Sequence, residues 1–81
     1  MTAPLSPSMS LEQLRGDVAE VLAEEPGSFA DDENLIDLGL DSIRLMSLAT
    51  RWREAGFAAG YLELAQEPTV AAWFDLLEGK R

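Results

Sequence analysis

An all-α fold, a bundle of three main helices plus a short one, is what this sequence predicts. Three observations predict it. Apolar residues recur at helical spacing, and each long run starts behind a residue suited to capping a helix: Ser10, Asp41 and Thr69. Breakers then cut the chain between the runs, at Pro26-Gly27, Gly56 and Pro68. No stretch reads as a strand with a convincing partner, and there are no internal repeats.

The first expected element is a tail over residues 1–9, disordered and carrying Pro4 and Pro7 among serines. The domain then spans residues 10–79. Ser10 caps the first helix, with Gln13 completing a capping box and Met9 with Leu14 forming a staple. Leu11, Leu14, Val18, Val21 and Leu22 share its apolar face. Gly16 lowers its stability for no reason visible in the sequence. Pro26-Gly27 places the helix end near Glu24.

Residues 25–41 form an irregular, acidic connection, long for a compact domain. Phe29, Leu35, Ile36, Leu38 and Leu40 are expected to tack it onto the core. One helical turn is expected over residues 32–38, capped by Asp32 and closed by Gly39 in a left-handed conformation. The acidic residues here lack the turn glycine and terminal glutamate of a calcium loop, so no metal site is expected.

The second long helix is expected over residues 42 to about 55, stopped by Gly56. Asp41 is its N-cap, and Leu40 staples to Leu45. Ser42 is its first residue, with an exposed hydroxyl. Leu45, Leu48, Ala49, Trp52 and Ala55 make the core face. Ile43, Met46 and Thr50 make a second, narrower apolar stripe beside Ser42. That stripe either covers the long loop and the third helix or meets partners. The docking reading is preferred, because methionine adapts to several surfaces.

Residues 61–66 are expected as the short helix, with Tyr61 and Ala65 sharing a face and Leu62 turned to the core. The last helix, residues 70 to about 77, is capped by Thr69 and buries Val70, Trp73, Phe74 and Leu77. Lys80 and Arg81 suit the negative end of its dipole.

Composition narrows the function. The chain of 81 residues has no cysteine and no histidine. No catalytic residue and no metal ligand set is assigned, for want of a common base, thiol or nucleophile constellation. A net charge of -9 opposes binding to nucleic acid. Nothing reads as a signal peptide or a membrane span, so a cytoplasmic monomer is expected. Ser42 is then read as an attachment point for a phosphate-linked arm, at a helix end that favours anions.

Gly39-Leu40-Asp41-Ser42-Ile43 resembles the signature of the carrier protein superfamily. The wider run from Leu35 to Met46, then Leu48, Arg51-Trp52-Arg53, Leu64-Ala65 and Pro68-Thr69-Val70-Ala71-Ala72-Trp73-Phe74, resembles aryl carrier proteins of siderophore-type nonribosomal peptide synthesis. The resemblance implies a four-helix carrier-protein bundle. It implies covalent 4′-phosphopantetheine on Ser42, added by a phosphopantetheinyl transferase, with Asp41 helping recognition. It further implies an aryl-acid adenylating ligase that loads salicylate or 2,3-dihydroxybenzoate as a thioester, and a condensation or cyclisation domain that takes it. Ile43, Met46, Tyr61 and Ala65 are the expected docking residues. Such domains often follow an isochorismatase domain, which makes this chain a free-standing carrier or an excised one. A carrier of amino acid, fatty acyl or polyketide cargo is the near alternative, although Arg44, Arg51 and Arg53 depart from the fatty-acid pattern. A helical adaptor with Ser42 as a plain cap is the alternative of another class.

Overall fold

In the computed structural model, which describes residues 9–57 and 59–78, the apolar spacing becomes four α-helices. They are α1 (Leu11–Leu22), α2 (Ser42–Glu54), α3 (Tyr61–Gln66) and α4 (Val70–Leu77), with a 3₁₀ turn at Leu35–Leu38. There is no strand among the described residues. The all-α bundle of three main helices and a short third one expected from the sequence is the fold observed.

The expected caps of α1, α2 and α4 are made by the expected side chains. Ser10 Oγ accepts the Gln13 N–H at 3.0 Å, Asp41 Oδ1 accepts the Arg44 N–H at 2.8 Å, and Thr69 Oγ1 accepts the Ala72 N–H at 3.1 Å. Each satisfies a backbone donor that the first turn leaves without a helical partner. α1 stops at Leu22, two residues before the expected end. Ala23 adopts a left-handed conformation there, φ 58°, and Glu24 N–H reaches back to Ala19 O at 3.0 Å. The chain therefore turns before Pro26 is reached.

α1, α2 and α4 bury Leu14, Val18, Leu45, Leu48, Trp52, Val70 and Trp73 against one another. The two tryptophan rings meet edge to face, with centroids 5.7 Å apart and planes at 74°. Their polar corners are satisfied: Trp52 Nε1–H donates to Asp17 Oδ2 and Trp73 Nε1–H to Leu64 O, each at 2.9 Å. Arg51 adds ion pairs from α2 to Asp17 and Glu20 on α1, at 3.4 and 3.0 Å.

Several expectations are corrected by packing. Met9, assigned to the tail, is only 3% exposed, and its N–H donates to the Glu78 carboxylate at 2.8 Å. It belongs with the core, as its staple partner Leu14 does. The rest of the tail, and Lys80 and Arg81, lie outside the described residues. Leu11 and Val21 are at the margin of the α1 face rather than within it, and Phe74 is half-buried. Ala55 lies past the end of α2 and is exposed. Ile36 is exposed too, so it does not tack the loop down. Leu62 is 75% exposed, not turned to the core. Leu64 holds the core position of α3, and residues two apart on a helix lie about 200° apart around the axis. A helix this short buries one of them.

The long connection is closely held. Arg15 of α1 hydrogen-bonds the carbonyls of Pro26 and Phe29 and the Asp31 carboxylate, and stacks over the Phe29 ring at 4.7 Å. Ala71 N–H donates to Asp31 O at 2.9 Å and Leu35 N–H to Pro68 O at 2.8 Å, stitching the loop to the start of α4. Phe29, Leu35 and Leu40 are buried beneath it.

Candidate functional site

The loop delivers the chain to Ser42 through a local series of fixed steps. The 3₁₀ turn is capped by Asn34, whose Oδ1 accepts the Ile36 N–H at 2.8 Å; Asp32, the expected cap, lies outside it. Asn34 is nearer the turn that forms, and Glu33 is occupied with the Ala30 N–H at 3.0 Å. Gly39 closes the turn at φ 109°, a backbone state open to glycine and costly for other residues. Its own N–H and that of Leu40 return to Ile36 O and Leu35 O at 3.0 and 3.1 Å. Leu40 and Leu45, the expected staple, are both buried. Asp41 is thereby held on both sides: its carbonyl accepts the Leu45 N–H at 2.9 Å while its carboxylate caps Arg44.

Ser42 follows as the first residue of α2 and is exposed. Among the described residues its hydroxyl has one hydrogen-bond partner, the Tyr61 hydroxyl at 3.4 Å. Among the described residues no carboxylate or amine is paired with it, so they do not build the geometry of an activated nucleophile there. No group of three or more potential metal ligands gathers among the described residues.

The surroundings of Ser42 suit a phosphodiester. The hydroxyl is open to a large modifying enzyme, and the first-turn N–H groups give that end of α2 a partial positive charge. The Asp41 carboxylate stands nearby but is directed to the Arg44 N–H. The Arg44 guanidinium returns to the same end, donating to Gly39 O at 3.1 Å, and supplies a compensating cation.

The predicted docking residues fall beside this point. Ile43 is 80% exposed and Met46 53%, so neither covers the loop or α3. They line an open depression along α2 together with Ser47, Thr50, Arg51 and Glu54. On α3, Ala65 is exposed, while Tyr61 is half-buried with its ring against the core and its hydroxyl at Ser42. Leu62 joins this exposed side and was missed. The signal was present: Leu62 and Leu64 cannot share one face of a helix. The Tyr61–Ser42 contact joins residues 19 apart and had no signature in the sequence.

Comparison with known proteins agrees with this geometry. The family model described as phosphopantetheine attachment site matches residues 12–77. The chain is 44% identical over 66 residues to an isochorismatase of Bacillus subtilis, covering 82% of this chain and 21% of that protein. It is 44% identical over 80 residues to enterobactin synthase component B of Escherichia coli, covering 95% and 28%. It is 44% identical over 70 residues to phenyloxazoline synthase MbtB of Mycolicibacterium paratuberculosis, covering 86% and 6%. The chain thus spans about a fifth of the first of these relatives. The resemblance to siderophore-type carrier domains is borne out by them. In fold, the chain is similar to the HMG-ACPI domain from the CurA module of Lyngbya majuscula, with a TM-score of 0.69 at 24% identity over 99% of this chain and 90% of that one. With residues 12–77 inside the family model, the chain belongs to the phosphopantetheine attachment family, whose domains are non-catalytic carriers holding covalent 4′-phosphopantetheine on a serine.

Proposed function

We propose that Ser42 is the serine that carries the arm, and that the cargo is an aryl acid of the salicylate or 2,3-dihydroxybenzoate class, held as a thioester for nonribosomal siderophore assembly. The observation that carries the reading is the exposed Ser42 hydroxyl at the capped start of α2, within the run Gly39-Leu40-Asp41-Ser42-Ile43. The arm supplies a thiol, which a chain with no cysteine lacks. The protein's own part is to hold the attachment point still and present it. Asp41 does the first through its cap. The likeness to enterobactin synthase component B and phenyloxazoline synthase supports the aryl cargo.

The partners in this reading are a phosphopantetheinyl transferase, an aryl-acid adenylating ligase and a condensation or cyclisation domain, met by a cytoplasmic carrier domain whose expected span of residues 10–79 is extended back to the buried Met9. Ile43, Met46, Tyr61 and Ala65 form the docking face, with Leu62 added to it. The exposure of Ile43, Met46 and Leu62 supports this assignment, since exposed apolar side chains grouped near a functional group mark contact surfaces.

Incubation with a phosphopantetheinyl transferase and coenzyme A is expected to add one phosphopantetheine to the intact mass. Ser42→Ala is expected to take up none. Modification of that variant would overturn the assignment and return Ser42 to the role of a plain helix-start residue. A panel of acids offered with candidate ligases then reads the cargo: loading of aryl acids supports the proposal, and loading of amino or fatty acids alone rejects it.

A further inference from the structure

Tyr61 stands in the first turn of α3, and its hydroxyl donates to Ser42 Oγ at 3.4 Å. The side chain behind that hydroxyl is braced. Its ring is half-buried against the core, and Leu64 in the next turn is fully buried with its carbonyl held by Trp73 Nε1–H at 2.9 Å. Glu63 fixes the start of the helix by accepting the Gly60 N–H at 2.9 Å. The hydroxyl is thus held toward Ser42 by a packed element.

The contact is long for its type. An O–H···O bond usually spans about 2.7–2.8 Å, so Ser42 Oγ is a weak acceptor where it stands. A phosphate oxygen is a charged acceptor; such bonds are shorter, about 2.5–2.7 Å, and roughly twice as strong. Attachment at Ser42 puts phosphorus on the atom that Tyr61 already reaches. Two other donors at that end are already engaged, the Arg44 N–H with Asp41 and Arg44 Nη1 with Gly39 O, while the first-turn N–H groups of Ser42 and Ile43 face the same anion alongside Tyr61.

We propose that Tyr61 is a positioning residue for the arm. Its hydroxyl rests in a long, weak contact with Ser42 Oγ in the unmodified chain and donates to a phosphate oxygen in the modified one. α3 is then tied to α2 through the first group of the arm, and the docking side chains Leu62 and Ala65 are held more firmly once the arm is present. The inference rests on attachment at Ser42.

Tyr61→Phe keeps the ring and its packing and removes only the donor. Wild type and variant are treated with transferase and coenzyme A, checked by intact mass, and compared by ³¹P and amide NMR. Tyr61 is the single tyrosine of the chain, so a ring-labelled sample gives one set of tyrosine signals. In wild type, modification is expected to move the Tyr61 ring signals and the amides of α3. In Tyr61→Phe the α3 response is expected to fall about threefold or more, with a changed ³¹P position, because the stronger bond is missing. Equal α3 responses and equal ³¹P positions would overturn the proposal while leaving attachment intact. A wild type that gains no mass would overturn attachment and the proposal with it. Ser42→Ala, left unmodified, breaks the same contact from the other side; its α3 amides are expected to shift as those of unmodified Tyr61→Phe do, and unmoved amides would count against the contact.

Discussion

Ile43 and Leu45 are two residues apart on α2, yet one is 80% exposed and the other 2%. The rotation of about 200° between them sends the two side chains to opposite sides of the helix. On one side Leu45, Leu48, Ala49 and Trp52 are sealed into the core. On the other, Ile43 and Met46 remain in water next to Ser42. Fully burying a side chain of this size stabilises a fold by about 1.5–3 kcal/mol. The outer face forgoes that gain. The same residue classes therefore serve two ends on one helix: the inner face fixes α2 and with it the Ser42 end, and the outer face is left exposed.

The comparison is broken most directly by truncating each face. Leu48→Ala is expected to destabilise the domain by about 2–5 kcal/mol in a denaturant melt, a large share of the roughly 5–15 kcal/mol typical of domains. Ile43→Ala is expected to change it by no more than about 0.5 kcal/mol. Similar losses from both would mean that the outer face is core after all.

Met46→Asp sharpens the division. Its cooperative melt is expected to be kept, because the side chain is already about half in water. Loading by the ligase, or transfer to the next domain, is expected to slow about tenfold, the size of one moderate interface contact. Unchanged transfer would remove Met46 from the docking face. Met46 is a cleaner probe than Tyr61, whose ring is packed on the core and touches Ser42.

A small gain is expected on α1. A Cβ added at Gly16 meets nothing within 4 Å, and the residue has ordinary helical geometry. Gly16→Ala is expected to raise stability by about 0.5–1 kcal/mol, read by the same melt. A loss would point to a close approach on that part of α1, and the contrast between a crowded and an open face would need redrawing there.

How far the fold was legible follows from the range of the forces involved. Ser10, Asp41 and Thr69 act on donors three residues away, and Gly39 and Gly56 act on their own backbone. Such local devices can be read without knowing what packs where. The staple of Leu40 with Leu45 and the separate stripe of Ile43 and Met46 are legible for the same reason, since helical spacing alone orients them. Asn34 displaced Asp32 as a cap because several acidic and amide side chains compete in that loop, and contacts with α1 and α4 choose among them.

The sequence by itself determined the helices, their starts, the exposed serine and the lack of any side chain able to act as thiol or imidazole. Those rest on bonding and periodicity within a few residues. Tertiary structure alone decided that Leu62 faces water, that Met9 is core, that Arg15 holds the long connection, and that Tyr61 reaches Ser42. Each depends on which element lies across from it, and short-range preference carries no record of that.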